Sequence, residues 1–128
     1  SKGTNAESTE KALLSFTKNI YWIVGGQPKT EGIKSLAPLF NRVKHAFIIG
    51  DAQEEFAETM RNLIPYTKAQ NLANAFKLAT EMALIDDSSQ DVIILLSPAC
   101  ASWDQWKDFE ERGRAFCNFV KEFLASHR

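Results

Sequence analysis

Lys29 lies in a glycine-rich stretch, GGQPKTEGIK (25–34), and two hydroxyls, Ser97 and Ser102, bracket a small-residue run, SPACAS (97–102). A loop lysine facing two hydroxyls has the chemistry to hold a carboxylate through charge-assisted hydrogen bonds. Cys100 stands in the same run, but no neighbouring His or Lys is evident in the sequence to lower its pKa. It reads as a small packed residue and not as a nucleophile. His45 and His127 are far apart and fit no ligand spacing, so a surface or strand-edge role is expected for them and no metal site is predicted. The pair Gly25-Gly26 is not accompanied by a G-x-x-x-x-G-K-[ST] or G-x-G-x-x-G pattern, so this chain by itself is not expected to cradle a triphosphate. Trp103, Trp106 and Phe109 follow at helix-like spacing, which in most helices means core or interface. The charges from Lys107 to Arg114 read as a solvated face with i,i+4 pairs such as Glu110 with Arg114.

These residues need a scaffold, and the composition suits one compact domain. The chain has 128 residues, 45% of them apolar, enough for a single core. With 15 basic and 16 acidic residues, no net charge draws it to nucleic acid or to an anionic membrane. Two cysteines, Cys100 and Cys117, are too few for a disulfide framework, which points to a reducing cytoplasm, with Cys117 a buried thiol. No apolar run reaches the roughly 20 residues needed to span a bilayer, and the polar start is unlike a signal peptide. No membrane insertion is expected, and the chain is read as a soluble monomer.

Residues 1–5 read as a hinge or linker, with Thr4 and Glu7 in capping-box spacing before a helix over 6–18. IYWIV (20–24), stopped by two glycines, is a strand ending in a tight loop. Ser35 is placed to cap a short helix over 36–42, with Pro38 in its first turn. A strand follows over 45–49, and then a helix opened by an Asp51/Glu54 capping box, with Phe56, Met60, Leu63 and Ile64 on one face. Residues 66–69 are a short strand, and 72–85 a helix with an apolar stripe of Leu72, Ala75, Phe76, Ala79, Met82 and Ala83. After a polar loop over 86–90, Val92 to Leu96 reads as a strand buried on both faces, and a final helix over 109–125 aligns Phe109, Gly113, Phe116, Val120 and Phe123. Strands alternating with helices predict an α/β, Rossmann-like three-layer domain: a mostly parallel sheet with helices on both faces. Ligands of such sheets bind beyond the carboxyl ends of the strands, where the loops carrying Lys29 and Ser102 begin.

The run LSPACASWDQWKDFEERGRAF (96–116) closely resembles the signature of the Mur ligases that add D-glutamate to UDP-N-acetylmuramoyl-L-alanine in peptidoglycan precursor synthesis. SKGTN (1–5) resembles the family's D-S-K-[AG]-T-N hinge segment, and WIVGGQPKTEGI (22–33) its G-G-x-x-K loop. The resemblance implies that residues 6–128 are the C-terminal, amino-acid-binding domain of a three-domain cytoplasmic ligase, with 1–5 the hinge from a central domain. It implies ATP and Mg2+ in the full-length enzyme, both held mainly by the central domain, and an acyl-phosphate intermediate attacked by the D-glutamate amine. In this fragment, expected to be inactive alone, Thr4, Lys29, Ser102 and Phe109 match positions that contact D-glutamate, and Trp103 matches a neighbour whose backbone helps hold it. Lys2 matches a hinge lysine near the nucleotide. No catalytic residue and no bound cofactor are assigned to the fragment itself. Its partners would be D-glutamate, the UDP-linked substrate and the central domain of the same chain. The competing expectations are a domain of a related Mur ligase or of folylpolyglutamate synthetase, and a non-catalytic flavodoxin-like interaction module.

Overall fold

A computed structural model of the protein describes residues 6–16, 18–26, 32–86 and 92–96, with 116, 118, 120 and 121. The helix α1 (Ala6–Leu14) leads into β1 (Ile20–Gly25), a 3-10 helix over Lys34–Arg42, and β2 (Val43–Ile49). A 3-10 turn at Gly50–Ala52 opens α2 (Gln53–Met60), and β3 (Tyr66–Gln70), α3 (Leu72–Leu84) and β4 (Ile93–Leu96) complete the described elements. The four strands form one sheet in the order β3-β2-β1-β4, and every pairing is parallel. Parallel neighbours require crossover connections, which coat both faces of a sheet with helices.

The strands explain the layers. Every residue of β1 is buried, and its side chains alternate between two cores. Ile20, Trp22 and Val24 pack with Leu13 of α1, Leu36 and Phe40 of the 3-10 helix, and Phe56 and Met60 of α2. Tyr21 and Ile23 face the other core, with Leu72, Ala75, Phe76 and Ala79 of α3. Phe116 closes this second layer by meeting the Phe76 ring edge-on at 5.7 Å, and Val120 packs beside it. The Rossmann-like three-layer arrangement is therefore present, and Phe116 and Val120 share the apolar face read from their spacing.

Several local expectations are corrected. The first helix stops at Leu14, short of residue 18, because the chain must reverse into β1 and Asn19 turns it through a left-handed φ of 63°. Residues 34–42 are 3-10 and not α-helical, and Ser35 does not cap them: Ile33 occupies the cap, without a side-chain bond. Starting at Lys34 puts Pro38 beyond the first turn, where its missing N–H interrupts an α ladder. The Asp51/Glu54 box does not form, because Asp51 lies within the 3-10 turn and Ala52 precedes α2 in helical geometry. Leu63 is 57% exposed past the end of α2, while Ile64 is buried. Only Leu96 of β4 is buried, and it keeps 9% of its surface exposed, since among the described strands β4 borders β1 alone. His45 is on an inner strand and half-buried, not on a surface or a strand edge.

Candidate functional site at the carboxyl edge of the sheet

The carboxyl ends of β1, β2 and β4 define one edge, and its backbone is tightly bound. Past the end of β1, the Gly26 N–H donates to the Ile49 carbonyl at 3.0 Å, and the Ala52 N–H donates to the Gly26 carbonyl at 2.9 Å. The first loop stem is thereby fixed to the β2–α2 junction. Gly25 is held at φ +122°, and a Cβ there would overlap the Ile49 carbonyl oxygen and lie 2.9 Å from the Ile49 nitrogen. Only glycine satisfies both the backbone angle and the space. On the far side of the loop, buried Ile33 sets the second stem and accepts from the Leu36 N–H at 3.0 Å.

Ile23 of β1 pairs with Leu96 of β4, so these neighbouring strands end side by side. The segment bearing Lys29 leaves β1 and the segment bearing Ser97 and Ser102 leaves β4, from adjacent strands at one edge. Lys2, Thr4, Lys29, Ser102, Trp103 and Phe109 themselves lie outside the described residues, as do Cys100, Cys117 and His127. What the fold brings together is the pair of strand ends from which the two segments start.

The opposite edge carries a polar network that sequence reasoning missed. The Tyr21 hydroxyl donates to Asp86 Oδ2 at 2.6 Å, and Lys44 Nζ donates to the same oxygen at 2.9 Å. The Asp86 side chain is 1% exposed. Lys44 is the residue that the β1–β2 register skips, and this bulge frees it to reach the carboxylate. Burial, and then the Asp86 carboxylate, push the Tyr21 pKa up to about 12. These partners are separated by 65 and 42 positions, and no periodicity links them. Nearby, His45 Nε2 shares a 2.7 Å hydrogen bond with Thr67 Oγ1, and burial lowers the imidazole pKa below its ordinary value. Among the described residues, no cluster of His, Cys, Asp or Glu is arranged to hold a metal ion, and no helix is long and apolar enough to cross a membrane.

No protein-family model matches the chain. Curated relatives do. A UDP-N-acetylmuramoylalanine–D-glutamate ligase of Wolbachia pipientis wMel is 54% identical over 99% of this chain. The chain matches the C-terminal domain of these ligases. Ligases of the same name from Brucella abortus and Paramagnetospirillum magneticum are 50% and 46% identical over 94% and 96% of the chain. The chain spans about a quarter of the length of each relative, 24% for the Wolbachia ligase and 26% for the other two. The bound Gly25-Gly26 stem falls within the stretch 22–33 that resembles the lysine loop of these ligases.

Proposed function

We propose that this chain is the amino-acid-holding domain of a D-glutamate-adding ligase. The carrying observation is the 54% identity to a named D-glutamate ligase over nearly the whole chain. The side-by-side ends of β1 and β4 support it, because one crevice beyond them can receive both the Lys29 and the Ser102 segments. Lys29 supplies positive charge to a D-glutamate carboxylate, and the hydroxyls of Thr4 and Ser102 donate hydrogen bonds to the same ligand. The Trp103 backbone supports that grip, and Phe109 adds an apolar wall. Lys2, in the hinge, lies near the nucleotide.

In the full-length protein, ATP phosphorylates the carboxylate of UDP-N-acetylmuramoyl-L-alanine. The D-glutamate amine attacks the acyl carbon, the amide bond forms, and the acyl–phosphate bond breaks with release of phosphate. ATP and Mg2+ bind mainly to the central domain. This domain presents the amine and is inactive alone, because hinge closure onto the central domain completes the site. The reaction places the protein in the cytoplasm, where its nucleotide substrates are. The test is ADP release by the full-length protein with UDP-N-acetylmuramoyl-L-alanine, measured with D-glutamate and with other amino acids. Release that requires D-glutamate is expected. Release driven equally by L-glutamate or L-lysine would overturn the substrate assignment.

A further inference from the structure

An open groove of about 380 Å³ runs between β3 and α3, away from the proposed D-glutamate crevice, and Lys68, Ala69, Gln70, Asn74, Lys77 and Glu81 line it with Leu78. One wall is strand. Among the described residues β3 pairs only with β2, so no described strand takes up the backbone donors and acceptors of its other edge. The edge ends sharply at Gln70, whose φ is +73°, where the Asn71 N–H bonds back to the Ala69 carbonyl at 2.9 Å. The Gln70 N–H is taken by Gln53 Oε1 at 2.9 Å, which closes that end of the ladder. The other wall is one stripe of α3, since residues 74, 77, 78 and 81 recur at helical spacing. A free strand edge beside an overhanging helix is the geometry in which extended peptides add to a sheet.

The charges in the groove select among such peptides. Lys68 is already bound to Glu54 at 2.7 Å. Lys77 and Glu81 line the groove and enter no ion pair among the described residues. Four apart on a helix, their Cβ atoms stand about 6 Å from each other. Alternate side chains of an extended strand repeat at about 6.7 Å on one face. α3 runs back from the carboxyl end of β3 towards Asp86 at the amino end of β1, so Lys77 is nearer the carboxyl end of β3 than Glu81.

We propose that this groove binds an extended peptide as a strand antiparallel to β3, with an acidic residue facing Lys77 and a basic residue, two positions later, facing Glu81. The antiparallel direction is the more stable pairing per residue and fixes the order acid before base. The contact is independent of the D-glutamate reading, because Lys77 and Glu81 belong to no part of that site.

Fluorescence anisotropy on the full-length protein tests it, with the labelled peptide Thr-Val-Glu-Thr-Lys-Val-Thr and its charge-reversed form Thr-Val-Lys-Thr-Glu-Val-Thr as probes. The acid-first peptide is expected to bind about fivefold tighter, and the double variant Lys77→Glu/Glu81→Lys to reverse that preference, while ligase turnover stays unchanged. Both positions are exposed, so folding should survive the exchange. Equal binding of the two peptides, a preference that the double variant leaves as it was, or no binding up to about 1 mM would overturn the proposal.

Discussion

Replacing Gly25 with alanine inserts a methyl group where the backbone leaves no room. The Cβ would overlap the Ile49 carbonyl oxygen, and both nearest obstacles are backbone atoms of β2, which cannot rotate away. Separating β1 from β2 at that point also breaks the Gly26–Ile49 and Ala52–Gly26 hydrogen bonds. Overpacking of this kind costs about 1–3 kcal/mol, and a non-glycine residue at such a φ about 1–3 kcal/mol more. Reduced freedom of the unfolded chain returns roughly 0.4–1 kcal/mol, leaving a net loss of about 1–5.6 kcal/mol. Against a typical stability of about 5–15 kcal/mol that is a large share, and it moves a urea midpoint by on the order of 1–2 M. Urea unfolding followed by tryptophan fluorescence reads it directly, with buried Trp22 as one reporter. Gly32→Ala is the internal comparison: there the added Cβ meets only the carboxylate end of the flexible Glu55 side chain at 3.0 Å, so a smaller shift is expected. A Gly25→Ala midpoint within about 0.3 M of the parent, or one no lower than that of Gly32→Ala, would refute the reasoning.

Tyr21→Phe removes a hydrogen bond to a buried carboxylate and should cost about 1.5–3 kcal/mol. Because the folded-state pKa of Tyr21 is raised from 10.0 to about 12, its contribution is complete below pH 10 and is lost as pH climbs through 12. Urea midpoints across that range should fall in the parent and fall less in Tyr21→Phe. His45 has the opposite sign: its folded pKa lies below 6.5, so the unfolded chain takes up the proton first and stability is lost as pH falls below that value. His45→Gln should flatten the midpoint between pH 7 and 5. In the cores, Leu36→Ala, at a fully buried position, should cost about 2–5 kcal/mol, whereas Leu63→Ala, at an exposed one, should stay within about 0.5 kcal/mol by the same assay.

The sheet was legible because its strands carry a strong local signal. The IYWIV run, stopped by Gly25, is buried throughout, and of the stripe that spacing predicts on α3, Leu72, Ala75, Phe76 and Ala79 are buried while Met82 and Ala83 are partly so. Capping was less legible. An Asp/Glu spacing recurs wherever polar residues do, and at Asp51 the turn that welds Gly26 to Ala52 prevailed over the box. At α3 the Asn74 N–H donates to Asn71 Oδ1 at 2.9 Å, a cap that forms with no Glu or Gln at its third position to mark it in the sequence. The Tyr21–Lys44–Asp86 network had no signal, since it depends on a bulge and on residues brought together only by the crossover. For the candidate site, sequence supplied the residue types and the family resemblance, and the fold supplied the adjacency of β1 and β4, which no local pattern reveals.

The central claim, that this domain holds D-glutamate through the segments leaving β1 and β4, is tested most directly by D-glutamate kinetics of the full-length protein carrying Lys29→Ala. A charge-assisted hydrogen bond of about 1.5–3 kcal/mol predicts that use of D-glutamate falls roughly ten- to a hundredfold. KM for UDP-N-acetylmuramoyl-L-alanine should stay near that of the parent. A Michaelis constant and turnover for D-glutamate equal to those of the parent would contradict the account.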